Sequence, residues 1–302
     1  MERVRKQIEV PDICEPEGTK GVTVAVLDTG IARHPDLAEK LLCFRDFVNG
    51  RLLMYDDNGH GTHVCGIICG EGRVSGGRFK GMAPYSRLVV GKVLDEVGDG
   101  NAECMLKGLD WIIDIRKDYN IRILNISVGI GMLDSREKEY ALKQKIEAVW
   151  NAGIVVVCAA GNKGPSSGSV SAVGGSEKVI TVGCHDGNFC INHPRCCESY
   201  SGRGTALGNI RKPDLVAPGT DIISCNAAFR NFKNKNESAY IAKSGTSMAT
   251  PIVAGAAALA LQKYPEITNE ELRQRITMTA TDLGEPWNKQ GWGMINVRKI
   301  VD

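Results

Sequence analysis

The chain has almost no net charge: 37 Lys and Arg stand against 35 Asp and Glu over 302 residues, a balance of +2. It has no long run of like charge either, so nothing draws it electrostatically to nucleic acid or to an anionic membrane. Long apolar stretches are missing too. No segment is long enough to cross a bilayer, and the basic start Met1-Glu2-Arg3-Val4-Arg5-Lys6 leads into no apolar run of the kind a secretory signal needs. A cytoplasmic location is therefore expected. Internal repeats, low-complexity tracts and interdomain linkers are also lacking, so 21–302 reads as a single domain behind an N-terminal extension, 1–20. A nucleotide-binding domain is excluded because the first apolar strand runs into Asp28-Thr29-Gly30 with no Gly-x-Gly-x-x-Gly after it.

At 43% hydrophobic and 24% charged residues, the chain can bury a large core. Its eleven cysteines are an odd number, and Cys65, Cys69, Cys104 and Cys158 fall inside apolar helix or strand patterns. Such thiols behave as small buried hydrophobes in a reducing compartment, and a disulfide framework is not expected.

Short Val- and Ile-rich runs at Val22–Leu27, Leu88–Leu94, Arg122–Ser127, Ile154–Ala159, Val179–Val182 and Asp221–Ser224 have the character of strands buried on both faces of a parallel sheet. Between several of them lie helical patterns, Ala102–Tyr119 and Arg136–Asn151, the latter stopped by Gly153. Thr268 with Glu271 forms a capping box ahead of a helix over Asn269–Met278. The alternation predicts an α/β fold of three layers: a doubly wound, mostly parallel sheet with helices on both faces.

Three segments carry the chemistry. Ser247 lies in Ser244-Gly245-Thr246-Ser247-Met248-Ala249-Thr250-Pro251, a glycine-led turn opening into an apolar helix over Pro251–Leu261. A hydroxyl there meets a carbonyl carbon at the positive end of a helix, with backbone N–H groups available for the oxyanion. Asp28 ends the strand Val24-Ala25-Val26-Leu27, and His60 opens Asn58-Gly59-His60-Gly61-Thr62-His63, a glycine-rich helix entry. Acid, base and nucleophile thus follow in the chain order Asp, His, Ser. Asp28 alone could be a strand-end turn residue, and His60 with His63 could in principle be a metal-binding pair, though no acidic ligand follows at the spacing such sites use.

Taken together these segments resemble the subtilisin-like serine proteases, closest in character to the intracellular bacterial subtilisins. Cys158-Ala159-Ala160-Gly161-Asn162, Asn125-Ile126-Ser127-Val128-Gly129, Lys212-Pro213-Asp214-Leu215-Val216-Ala217-Pro218-Gly219 and Gly291-Trp292-Gly293-Met294-Ile295-Asn296-Val297 extend the resemblance over nearly the whole chain. The resemblance implies a serine endopeptidase working through an acyl-enzyme, with Asp28 orienting His60, His60 as base toward Ser247, and Asn162 as oxyanion donor. It makes His63 a supporting helix residue. The helix N-terminus is expected to leave the His60 imidazole neutral.

Backbone edges at Gly98-Asp99-Gly100 and Ser127-Val128-Gly129 suit an extended peptide added as a strand, which favours unfolded or loop segments as substrate. Ala159, Ala160 and Gly161 beside Val128 suggest a roomy apolar pocket for the P1 side chain. Two departures from the family pattern stand out. The 27 residues ahead of Asp28 leave no room for a folded pro-domain, so residues 1–12 are expected to act as a short blocking or docking peptide. The segment Cys184–Cys197 is rich in Cys and His, yet its spacing lacks paired zinc-ligand motifs, so zinc or iron is not expected there. Catalysis requires no cofactor on this reading. Structural calcium stays open: Asp36 lies where relatives often place a ligand, but the loop Arg73–Gly81 lacks the Asn-containing turn that completes that site. The competing reading is a pseudoprotease that binds peptides or regulates another protease without turnover; the intact set Asp28, His60, Ser247 and Asn162 argues against it.

Overall fold

A computed structural model describes residues 1–12, 21–128, 136–191, 193, 195–205, 208, 210–229 and 238–302. Seven strands, β1 (Thr23–Asp28), β2 (Leu41–Asp46), β3 (Arg87–Lys92), β4 (Ile121–Ile126), β5 (Val155–Ala159), β6 (Ile180–Cys184) and β7 (Leu215–Ala217), form one sheet in the order β2-β3-β1-β4-β5-β6-β7. Every neighbouring pair is parallel. The central strands are buried on both faces because helices cover both, which is why they read as continuous apolar runs.

Among the described residues, eight α-helices accompany the sheet: α1 (Glu2–Gln7), α2 (His60–Cys69), α3 (Ala102–Ile115), α4 (Arg136–Asn151), α5 (Thr246–Lys263), α6 (Asn269–Met278), α7 (Trp287–Gln290) and α8 (Val297–Val301). α2 and α5 pack on each other and on the sheet, while α3 and α4 pair separately against β1 and β5. α5 is apolar nearly all round, and from Met248 to Leu261 every residue is buried, as expected of a helix lying between sheet and outer helices. α3 starts where the Asn101 side chain accepts the Cys104 N–H, and the capping box of Thr268 and Glu271 makes both of its bonds.

The chain runs from β1 out to the edge strand β2, returns to β3 beside β1, then crosses to β4 and continues the other way. Loops after β1 and β4 therefore part at a topological switch point, where α/β sheets form their clefts.

The structure departs from the sequence reading in several places. β2 and β7 were not anticipated: β2 is a partly exposed edge strand, and β7 is three residues between Pro213 and Pro218. The run near Asp221 is not in the main sheet. As β8 (Ile222–Cys225) it pairs antiparallel with β9 (Tyr240–Lys243) in a separate two-stranded sheet. α5 begins at Thr246, five residues before Pro251, which the first turns accommodate.

Cysteine pairing is also corrected. Cys184 is joined to Cys197 and Cys190 to Cys196, while Cys43, Cys65, Cys69, Cys104, Cys158 and Cys225 are free. The fold causes this, because the loop after β6 returns on itself and brings both pairs together; neither oddness of count nor apolar context reports that return.

Residues 1–8 belong to the core. Met1, Val4 and Ile8 are buried, Arg5 donates to the Gly81 and Met82 carbonyls, and the Val297 N–H is bonded to the Ile8 carbonyl. Arg3 and Gln7 reach Asp186 and Thr220. None of these partners is Asp28, His60 or Ser247.

Candidate active site

Asp28 is fully buried where β1 ends. Its Oδ1 accepts the Thr29 N–H at 2.7 Å and meets His60 Nδ1 at 2.7 Å, while Oδ2 has no hydrogen-bond partner among the described residues. Oδ1 fixes the tautomer: with Nδ1 donating, the Nε2 lone pair is left for a substrate-side proton.

His60 is the first residue of α2, entered through Gly59 in the left-handed region at φ 90°. Gly61 follows in a space only glycine fits, since a Cβ there would fall 2.2 Å from the Gly30 carbonyl oxygen and 3.2 Å from Asp28 Oδ1. Burial opposes a charge on His60, yet the Asp28 carboxylate outweighs it, and the pKa is raised above the ordinary 6.5. This reverses the direction expected from the helix N-terminus; an ion pair at contact distance outweighs a dipole spread over a turn.

His63 is also buried, with Nε2 at 2.9 Å from the Ile222 carbonyl and 3.0 Å from that of Ile241. It bridges β8 and β9. Burial, then the charge of Lys243, lowers its pKa to about 3, so it stays neutral. Neither His60 nor His63 belongs to a cluster of metal-capable side chains among the described residues.

Ser247 is half-buried in the first turn of α5. In that turn the Thr246 N–H is taken by Asn162 Oδ1 at 3.1 Å, and the Met248 and Ala249 N–H groups by the Gly245 carbonyl. The Ser247 N–H has no such acceptor among the described residues. Thr246 Oγ1 also donates to Asn162 Oδ1, at 3.0 Å. Both bonds fix the carboxamide through its oxygen and leave its NH₂ group free to donate. Gly245, at φ 145°, packs on that amide: a Cβ there would be 3.3 Å from Asn162 Nδ2.

Two residues the sequence did not single out hold these groups. Thr246 is one. Asp56 is the other: Oδ1 accepts from Thr29 Oγ1 and the Gly59 N–H, and Oδ2 from the Thr62 N–H and hydroxyl. Burial raises its pKa, but the Thr62 hydroxyl and these N–H groups prevail and lower it, so Asp56 stays charged at the start of α2. Its place four residues before a helix entry was the available signal.

Of the predicted substrate-binding residues, Gly98, Asp99 and Gly100 lie on a turn held by the Asp95 carboxylate, which accepts the Val97 and Asp99 N–H groups. Asn58 Nδ2 donates to the Glu96 carbonyl, which seats that turn beside the entry to α2. Ser127 and Val128 follow β4, and Ser127 Oγ accepts from Asn125. Ala159, Ala160 and Gly161 are buried at the end of β5, with the Ala160 and Gly161 carbonyls occupied by the Ser171 and Gly202 N–H groups. Gly129 lies outside the described residues.

The Asp36 site does not fit a calcium ion. Its buried carboxylate already accepts from the Gly72 and Val74 N–H groups and the Tyr240 hydroxyl, so its oxygens face donors. At the Cys184–Cys197 segment, the sulfurs that could join Asp186 around a metal are bonded to each other.

A doubly wound sheet with a carboxylate-backed histidine beyond β1 and a serine in the first turn of the buried helix α5 is the frame of a serine endopeptidase. Comparison with known proteins agrees. The sequence profile of the Subtilase family matches residues 19–293, and the chain belongs to that family. It is 41% identical over 294 residues to "Serine protease AprX" of Bacillus subtilis (strain 168), covering 93% of this chain and 66% of that protein, just under two thirds of its length. It is 37% identical to "Subtilisin DY" of Bacillus licheniformis, over 95% of this chain and 93% of that one. A solved structure described as a "cold adapted subtilisin-like serine proteinase" superposes with a TM-score of 0.68 at 28% identity, covering 91% of this chain and 87% of the other. Substrates of the family are peptides or proteins, and no helix among the described residues is long and apolar enough to cross a membrane.

Proposed function

We propose that Ser247 is the nucleophile of an endopeptidase whose base is His60, whose orienting acid is Asp28 and whose oxyanion is held by the Asn162 side chain and the Ser247 N–H. The observation that carries the reading is the 2.7 Å contact of Asp28 Oδ1 with His60 Nδ1, which sets the tautomer that general-base catalysis needs. His60 takes the Ser247 proton as Oγ attacks the scissile carbonyl carbon. The tetrahedral oxyanion then collapses, His60 returns the proton to the leaving amine, and water repeats the cycle on the acyl-enzyme.

Substrates on this reading are unfolded or loop segments, added as a strand between Gly98–Gly100 and Ser127–Gly129, with a broad apolar preference at P1. The exposed turn beside α2 supports that edge. Catalysis needs no cofactor or metal, and the donors around Asp36 speak against calcium there. The free, buried Cys65, Cys69, Cys158 and Cys225 support a cytoplasmic setting, whereas the pairs Cys184–Cys197 and Cys190–Cys196 speak for an oxidising one. Residues 21–302 form the peptidase domain, and the contacts of residues 1–8 with Gly81, Asp186 and Thr220 support bracing, not blocking, as the role of the N-terminal segment. Cleavage-site profiling with a peptide library, run beside Ser247→Ala, tests the reading. Discrete cleavage that disappears in the variant is expected; no turnover from the intact chain would leave a binding-only protein.

A further inference from the structure

The Cys184–Cys197 disulfide lies directly beneath the turn that presents Ser247. Both cysteines are fully buried, one closing β6 and the other in the returning loop. Gly219 rests on the two sulfurs: a Cβ built on it would fall 2.6 Å from Cys184 Sγ and 2.8 Å from Cys197 Sγ. The Gly219 carbonyl accepts the Gly245 N–H at 2.9 Å, and Gly245 starts the turn against which Asn162 packs. The next residue is tied as well, since Thr220 Oγ1 accepts the Cys197 N–H.

Bonded sulfurs sit about 2.05 Å apart. Once reduced they are non-bonded atoms, which settle at roughly 3.5–4 Å. Gly219 lies against both sulfurs, so their separation displaces it, and with it the acceptor of the Gly245 N–H. The site also serves the reduced form. Cys184 Sγ is 3.5 Å from Asp186 Oδ2, a contact only a thiol can use as donor. Asp186 is the anchor of the same turn, accepting the Gly219 and Thr220 N–H groups and the Thr220 hydroxyl. A thiol bonding to Asp186 competes with those anchors.

We propose that this disulfide is a thiol-responsive brace on the Ser247 turn: joined, it holds Gly245 and Asn162 in the arrangement that receives an oxyanion; opened, it releases them and peptidase activity falls. This rests on the reading of Ser247 as nucleophile. The reductant is a dithiol. One of its thiolates attacks a sulfur of the pair, the S–S bond breaks and a mixed disulfide forms; its second thiolate then displaces the enzyme sulfur. The dithiol leaves as a disulfide, having given two electrons, and Cys184 and Cys197 each end with a proton. Cys190 is half-buried and so reachable, whereas the inner pair is closed off. The outer Cys190–Cys196 bond therefore opens first and activity is lost only with the second. In a reducing compartment such a peptidase is held at low activity and rises on oxidation.

The test is a titration of the full, oxidised chain with dithiothreitol, following kcat/KM, the state of each cysteine by mass spectrometry after alkylation, and amide hydrogen exchange at Gly245 and Thr246. The expected result is a fall in kcat/KM of roughly tenfold to a hundredfold as Cys184 and Cys197 become alkylable, the scale of a small misplacement of catalytic groups. Faster exchange at Gly245, and recovery of both on reoxidation, accompany it. The Cys190→Ser/Cys196→Ser variant keeps the response, and Cys184→Ala/Cys197→Val loses it. Unchanged rate and exchange with the inner pair open would overturn the proposal, as would an inner pair that never oxidises or that retains zinc. Exchange is independent of turnover: faster Gly245 exchange in a chain with no peptidase activity in either state would sink the assignment of Ser247 and leave the brace standing.

Discussion

Asp28 gives one carboxylate oxygen to His60 at 2.7 Å and keeps the other, Oδ2, buried without a hydrogen-bond partner among the described residues. A carboxylate so placed is under-solvated, and the charge that best relieves it is an imidazolium on His60. This couples the acid and the base electrostatically as well as sterically.

The coupling predicts the pH profile. Because the His60 pKa is raised and the base must be neutral to act, kcat/KM falls as pH drops through a value above 6.5. Asp28→Asn removes the raising charge, so the acid limb moves to lower pH, and kcat drops by about 10⁴ through loss of the correct tautomer. pH–rate profiles of both proteins check it.

Thr246 holds the Asn162 carboxamide oxygen through both its N–H and its hydroxyl. Thr246→Val keeps the backbone N–H bond and loses the hydroxyl bond, so kcat falls by about tenfold with KM little changed. Asn162→Ala costs roughly 10²–10³ in kcat, the scale of one lost oxyanion donor. Thr246→Ser restores most of the loss, which a purely structural role of the methyl group would not allow. Steady-state kinetics on one peptide decide it.

Asp36 is held by hydrogen-bond donors, so chelator leaves the melting temperature unchanged. Asp36→Ala strands the Gly72 and Val74 N–H groups and the Tyr240 hydroxyl and destabilises by about 2–4 kcal/mol. Thermal melts with and without EDTA and calcium measure both.

Removing residues 1–8 exposes the surface that Met1, Val4 and Ile8 cover, at a cost of roughly 4–6 kcal/mol. The melting temperature therefore drops, while kcat/KM per folded molecule does not rise. A rise would restore the blocking-peptide reading.

Legibility in the sequence followed the range of the interactions. Asp28 and His60 could be found because a buried strand and a glycine-rich helix entry are local patterns, and the central strands because burial on both faces makes them uniformly apolar. β2 escaped because an edge strand is half-exposed and carries Arg45 and Asp46, and β7 because three residues show no periodicity. Asp56, Thr246 and the two disulfides were missed for a different reason. Each acts on a partner that only the tertiary fold brings near, as when Asp56 meets Thr29 or Cys184 meets Cys197. The direction of the His60 shift was missed likewise, since it is set by the distance to Asp28.

The central claim is that Ser247 is a nucleophile activated by His60. Its most direct measurement is labelling of the intact chain by a fluorophosphonate, located by peptide mass spectrometry across pH. Stoichiometric modification at Ser247, rising with pH through the raised His60 pKa and lost in His60→Ala, is the predicted result. Folded protein that stays unlabelled at Ser247, or labels equally without His60, would contradict it.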